Sequence, residues 1–258
     1  MSPPSATGET RAALDAKTLA RIARQSGALA LAERREGSGE ASAVAARVEE
    51  HLVASLPARA RALQRLSERS GDGVMRPVGS ALVLSPLDGA EAWAAGVPTW
   101  TIALALLDPG RESSSVVYAP AVDDLYVAQA GVLRWNGEIV PEGGFEPART
   151  GLVLALAGLA RRVPLGLGRR RRAVGSPAYH LALVARGAAD GAILERPQLW
   201  DVAPGLALLE ASGAEAIDLA SRKRVDLEDW FRGRPPRRLV AARRGAMDEV
   251  LHRVRRST

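Results

Sequence analysis

The chain contains no cysteine, which excludes a disulfide framework, a thiolate metal site and a cysteine nucleophile. Aromatic residues make up only 4% of it, and lysine occurs only as Lys17 and Lys223. The three histidines, His51, His180 and His252, show no ligand spacing, and His180 reads as structural within an apolar helical run. No window reaches about 18 uninterrupted apolar residues, so no transmembrane helix is expected. The opening MSPPSATGETRAALD has no basic start followed by an apolar run and does not read as a secretory signal. These absences lead to the expectation of a soluble, cytoplasmic protein without a membrane partner.

What is present is 258 residues with a hydrophobic fraction of 47%, enough for a substantial core in one large domain or a compact two-layer pair. The formal net charge of +6 is carried almost wholly by arginine. Nucleic-acid binding calls for basic residues gathered on one face with interleaved aromatics. The clusters here, Arg161–Arg162, Arg169–Arg172 and Arg253–Arg256, lack that interleaving and read as solvated charge, so nucleic acid is not an expected partner.

Residues 1–8 read as a disordered start, and two halves follow, 9–150 and 151–258. Apolar residues at helical spacing predict a helix from Glu9 to Glu36, broken at Gly37–Gly39, and a second from Ala43 to Leu56. Residues 58–69 stay ambiguous between helix and helix plus strand. Ala81-Leu82-Val83-Leu84 predicts a buried strand that ends at Ser85-Pro86-Leu87-Asp88-Gly89 and turns into a tight loop. Strands are predicted over 99–107 and 114–118, and a hairpin over 125–129 and 132–135 with Asn136-Gly137 as a turn. In the second half an apolar run covers 152–159, a helix 178–186, a strand 192–194, a helix from Trp200 to Ala211, strands 216–219 and 238–242, and a closing helix 247–254. The alternation lacks a strict βαβ rhythm, which favours a layered mixed fold over a doubly wound parallel sheet.

Three segments, in order, resemble signatures of the inositol monophosphatase superfamily. Leu66-Ser67-Glu68-Arg69-Ser70-Gly71 resembles its Glu-Glu "SEESG" stretch. Ser85-Pro86-Leu87-Asp88-Gly89-Ala90 resembles "D-P-[LI]-D-G-T". Trp200-Asp201-Val202-Ala203-Pro204-Gly205 matches "W-D-x-A-x-G". The connecting strands and the Gly175-Ser176 region agree, so the resemblance covers about residues 14–255. It implies an α+β class protein with the layered αβαβα sugar-phosphatase fold, and Mg²⁺-dependent hydrolysis of small polyol, sugar or nucleotide phosphomonoesters. It also implies a small phosphorylated metabolite as partner and a homodimer by family analogy.

The family chemistry needs oxygen-rich carboxylates, because hard cations prefer charged oxygens. Two cations about 3.5–4 Å apart clamp the attacking water and the leaving oxygen, and an anion must bridge them. Carried over by the resemblance, the metal ligands would be Glu68, Asp88, Asp201 and the carbonyl of Leu87. The amides of Gly89 and Ala90 would face the phosphate, and Glu195 would contact a substrate hydroxyl, although its spacing to Asp201 is one residue short.

The departures lie at the catalytic positions. Ser85 stands where the bridging aspartate belongs, Ala90 replaces the water-positioning threonine, and Ala45 falls at the aspartate of the earlier helix. Arg69 replaces the second glutamate, and Glu91 adds negative charge beside the phosphate amides. Losing positioned acid–base help costs about 10²–10⁴ in rate. The expectation is therefore weak or absent activity, with one weakly held Mg²⁺ or none. Two readings stay open: a residual phosphatase using one Mg²⁺ at Asp88, Asp201 and Glu68, and a pseudoenzyme that binds a phosphorylated ligand or a protein partner. The plainer roles are a turn aspartate for Asp88, a helix N-cap for Asp201, a solvated carboxylate for Glu68 and a helix-start charge for Glu91.

Overall fold

A computed structural model describes residues 14–37, 39–70, 76–77, 79–107, 114–145, 151–155 and 171–255. The segment 1–8, the start of the first helix, Arg161–Arg162, Arg169–Arg170 and the apolar run beyond 155 lie outside the described residues.

Helix α1 (Ala16–Glu36) starts where the Asp15 carboxylate accepts from the Thr18 amide at 2.8 Å, and it stops at Gly37, whose φ is 66°. Helix α2 (Ala41–Ser55) buries Val44, Val48 and Leu52, residues four apart on one face. Arg47 of α2 clasps Glu33 of α1 with two hydrogen bonds of 2.7 and 2.6 Å. The ambiguous stretch resolves into a 3-10 turn (Ala58–Ala62) and a short strand, β1 (Gln64–Leu66).

β1 runs parallel to β2 (Ala81–Asp88). From there the sheet is an antiparallel meander in chain order: β3 (Thr101–Leu107), β4 (Ser114–Ala119), β5 (Asp124–Gln129), β6 (Val132–Trp135) and β7 (Glu138–Ile139). Alternate residues of β2 and β3 face opposite layers. Leu82, Leu84, Ile102 and Leu104 pack with α1 and α2, while Val83, Ala103 and Ala105 face the other side. Burial on both faces explains why these strands read as unbroken apolar runs.

Two turn expectations are corrected. The strand does not end before Ser85; it continues, buried at every residue, to Asp88. Ser85 pairs with Ala103 and Asp88 with Thr101, so β2 takes three steps against two on β3, a bulge that accommodates Pro86 within the ladder. Asn136-Gly137 turns β6 into β7, whereas the β5–β6 hairpin turns at Ala130-Gly131, both with positive φ.

The second sheet has the order β11-β12-β10-β8-β9, from β8 (Val153–Ala155), β9 (Arg171–Arg172), β10 (Gly191–Glu195), β11 (Glu215–Asp218) and β12 (Arg238–Ala242). Helices α4 (Pro177–Ala185) and α5 (Leu199–Ala211) lie between the sheets. Leu181, Val202 and Leu208 share one core with Val83 and Val117 of the first sheet and Leu194 and Leu239 of the second. α7 (Met247–Arg255) covers the outer face of the second sheet through Val250 and Val254. The stack is helices, sheet, helices, sheet, helix, the layered αβαβα arrangement. Two one-turn helices complete it, α3 (Ala90–Ala94) and α6 (Glu228–Phe231).

Buried polar groups fasten the layers. The Asp124 carboxylate at the start of β5 accepts from Tyr126, Tyr179 of α4 and Trp135 of β6 at 2.9, 2.7 and 2.5 Å. The Arg186 guanidinium stacks 4.2 Å from the Trp135 ring centre. His180 is buried in α4, accepts from the Val174 amide at 3.0 Å, and is pushed down to about pKa 4 by burial, so it is a neutral structural residue. No helix among the described residues is long and apolar enough to cross a membrane.

α4 and α5 meet at Gly205, where an added Cβ would come within 2.5 Å of Leu181 Cδ1 and 2.6 Å of its Cβ. Gly205→Ala is expected to destabilise the protein by about 1–3 kcal/mol through overpacking, although alanine favours a helix interior by about 0.5–1 kcal/mol. Urea denaturation measures the difference, and a stabilised variant would contradict the close approach.

Candidate active site

The site is built where β2 ends. Asp88 is 5% exposed, and its Oδ2 receives donors from two other parts of the chain. The Ser176 hydroxyl donates to it through a short bond, the Ala178 amide donates at 2.9 Å, and the Thr101 hydroxyl at 3.4 Å. Ser176 caps α4, its hydroxyl oxygen accepting from the Tyr179 amide at 2.9 Å. The next residue, Gly89, has φ 86°, and a Cβ there would sit 3.0 Å from the Gly175 carbonyl. A Cβ on Gly175 would in turn meet the Cβ of Ala92 in α3 at 2.2 Å. The Asp88-Gly89 and Gly175-Ser176 turns therefore interlock without room for side chains. Asp88 is more than a turn aspartate: it ends a buried strand and binds the first turn of α4.

Beside this joint lies a cavity of about 470 Å³. Ala41, Ser42 and Ala45 line it from α2, Glu68 and Arg69 from the turn after β1, Ser85, Pro86 and Leu87 from β2, Ala90 from α3, and Trp200 from α5. Ala45, Arg69, Ser85 and Ala90, four of the positions at which the sequence departs from the family pattern, are part of this wall, and Glu91 is not. Glu68 is exposed, and so is Glu91 at the first turn of α3.

Asp201 is not the N-cap of its helix. Gln198 holds that place, and Asp201 is the third helical residue, its carboxylate accepting from the Gln198 amide at 3.0 Å as in a capping box. Glu195 ends β10 opposite Arg238, half-buried, and neither it nor Gly89 lines the cavity.

The carboxylates sense one another. Burial and then the charge of Asp201 push Asp88 up to about pKa 8, against the pull of its hydrogen bonds. Burial pushes Asp201 up to about 6, with Glu68 adding to the rise and the Gln198 amide opposing it. The charge of Asp201 acts on Asp88 and that of Glu68 on Asp201, so the three form a chain. Among the described residues no group of three or more Asp, Glu or His stands close enough to hold a metal ion. With Ser85 and Arg69 at places where the signatures carry carboxylates, the donor set does not fit a two-cation centre.

Ser42 was not legible as a wall residue, nor were Thr101 and Ser176 as the groups that hold Asp88. The Ser176-Pro177 pair does signal a helix start, but its reach across 88 residues to Asp88 has no local signal.

The stack and the cavity at the end of β2 define a protein of the layered sugar-phosphatase class. The chain belongs to the inositol monophosphatase family, whose model matches residues 7–258. It is 32% identical over 223 residues to the probable inositol 1-monophosphatase ImpA of Mycobacterium tuberculosis, covering 80% of this chain and 81% of that one. It is 29% identical over 216 residues to the inositol-1-monophosphatase ImpA of Mycolicibacterium smegmatis, 73% of each. The crystal structure of the extragenic suppressor protein suhB from Bartonella henselae matches with a TM-score of 0.76 at 20% identity, over 94% of this chain and 98% of that one, a likeness of fold.

The raised Asp88 pKa gives a signed pH effect. Its stabilising contribution is complete below its unfolded value of 3.8 and is lost as pH rises through about 8, because the folded state holds a proton that the unfolded state releases. Asp201 acts in the same direction but is spent by about 6. In metal-free buffer, urea stability is expected to fall between roughly pH 6.5 and 8.5, and Asp88→Asn, which keeps the oxygen that accepts from Ala178, should flatten that slope. Equal slopes in the two proteins would remove Asp88 as the cause.

Proposed function

We propose that this chain is a pseudophosphatase of its family: it binds a small phosphorylated metabolite in the cavity beside Asp88 and turns it over at near-background rates. One observation carries the reading. Ala45, Ser85 and Ala90, where the family chemistry asks for two aspartates and a threonine, all line the same cavity. The wall thereby lacks the bridging anion, the water-positioning hydroxyl and its carboxylate partner, yet keeps a volume within the ordinary range for small ligands, roughly 300–1,000 Å³. The remaining side chains have evident work. Glu68 and the two serine hydroxyls, Ser42 and Ser85, offer hydrogen bonds to a polyol, and Trp200 with the alanines offers an apolar wall to its carbon face.

The competing reading is a residual phosphatase with one Mg²⁺ at Asp88, Asp201 and Glu68. The electrostatic contact of Asp201 with both others favours it, and the lack of a three-carboxylate group among the described residues weighs against it. Calorimetric titration with Mg²⁺ separates the two, because the pseudophosphatase should give no saturable heat at millimolar metal.

Activity is tested with a panel of small phosphomonoesters in Mg²⁺ buffer. The native protein is expected near background. Ser85→Asp and Ala90→Thr should each stay there, and the triple variant with Ala45→Asp should show a measurable rise, because residues that act as one unit are strongly non-additive. Native turnover at ordinary enzyme rates, about 1–10³ s⁻¹, would sink the proposal.

A further inference from the structure

A phosphoryl group entering a cavity needs its negative charge met. In the family that charge falls to divalent cations, and the carboxylate set here does not fit two of them. Arg69 is the one cationic side chain among the described residues that line the cavity, and it stands directly after Glu68, where the family signature has its second glutamate.

Its surroundings prepare it for a ligand. Arg69 Nε lies 3.8 Å from Glu49 Oε2, and the side chain is 47% exposed while that of Glu49 is 14% exposed. Glu49 is itself fixed from behind by the Ser67 hydroxyl, which donates to Oε1 at 2.8 Å, and Ser67 is 2% exposed. A held carboxylate thus stands within ion-pair distance of the Nε side of the guanidinium, beyond hydrogen-bond reach, on a half-exposed side chain that borders both the cavity and a neighbouring cleft. Arginine meets phosphate through a planar, paired set of N–H donors, a geometry that lysine does not reproduce. The Ser42 and Ser85 hydroxyls line the same space and can donate to the remaining phosphate oxygens.

We infer, resting on the reading that this cavity takes a phosphomonoester, that Arg69 replaces the metal as the counter-charge, so that ligand binding is independent of divalent cations. The same substitutions that remove hydrolysis then leave a phosphate receptor. Glu49 acts through Arg69 as a positioning residue, and Glu68 is left to the hydroxyls of the ligand.

The test is isothermal titration of the full chain with inositol 1-phosphate and with inorganic phosphate, in EDTA and in Mg²⁺. Native dissociation constants are expected to agree within about twofold between the two buffers. Arg69→Ala should weaken binding roughly tenfold or more, the scale of a lost hydrogen bond to a charged group. Arg69→Lys should recover part of it. Arg65→Ala is the control, because Arg65 lines only a neighbouring cleft of about 410 Å³ that Arg69 also borders, and it should bind like the native chain. Thermal melts of the ligand-free variants establish that each is folded. Native binding that disappears in EDTA, or an Arg69→Ala protein that binds as tightly as native, overturns the role of Arg69 while leaving a phosphate ligand in place. Binding of neither probe in either buffer overturns the functional reading and this inference together.

Discussion

A single carboxylate oxygen, Oδ2 of Asp88, receives a hydroxyl from the cap of α4, an amide from its first turn and a hydroxyl from β3. Burying a carboxylate without partners is costly, and these donors offset the loss of water. They also fix where α4 begins relative to the end of β2, because Gly89 and Gly175 close the gap between the two turns. The rest of the stack follows from that joint. α4 sets α5 through the Gly205–Leu181 contact, and α5 brings Trp200 to the cavity and Asp201 close enough to act on Asp88.

The layers explain how a chain with so few aromatics makes a large core. The middle layer, between the sheets, is filled mainly by alanine, valine and leucine, and three of its rings meet around Asp124. There two tyrosines and a tryptophan give their polar tips to one carboxylate, while Arg186 stacks on the tryptophan face. The polar cluster ties β5, β6 and α4 together in a part of the protein remote in sequence from the signatures.

Much of this was legible in the chain. Continuous apolar runs marked β2, β3 and β4, and helical spacing marked α1, α2 and α5, because burial on both faces of the first sheet and on one face of each outer helix writes itself into local order. The misreadings fell where local chemistry and long-range pairing disagree. Ser-Pro-Leu-Asp-Gly looks like a loop, yet the bulge opposite Ala103 and Thr101 keeps it in the sheet. Asp201 resembles an N-cap because it precedes a helical run, but Leu199 and Trp200 already belong to the helix. The one-turn α6 is too short to show a period. For the site, the substituted residues were visible by comparison with the signatures. That four of them share one wall is a property of three dimensions alone, as is the contact of Ser176 with Asp88.

Several signature letters have work in the fold. Asp88, Gly89, Asp201 and Gly205, which remain, each hold something in the fold: a helix start, a turn with no space for a side chain, a cap, a tight crossing of two helices. Pro204, at an unspecified place of the last signature, adds to this through its carbonyl, which accepts the buried Ser115 hydroxyl at 2.6 Å. Positions 45, 69, 85 and 90, where the chain differs from the family pattern, line the cavity together with Glu68, Pro86, Leu87 and Trp200, which match it. A residue with work in the fold is held in place whether or not a reaction is run, whereas one that only lines a cavity has no such tie. An aspartate kept in such a signature has a structural reason to be there, so catalysis has to be judged from the letters beside it as well.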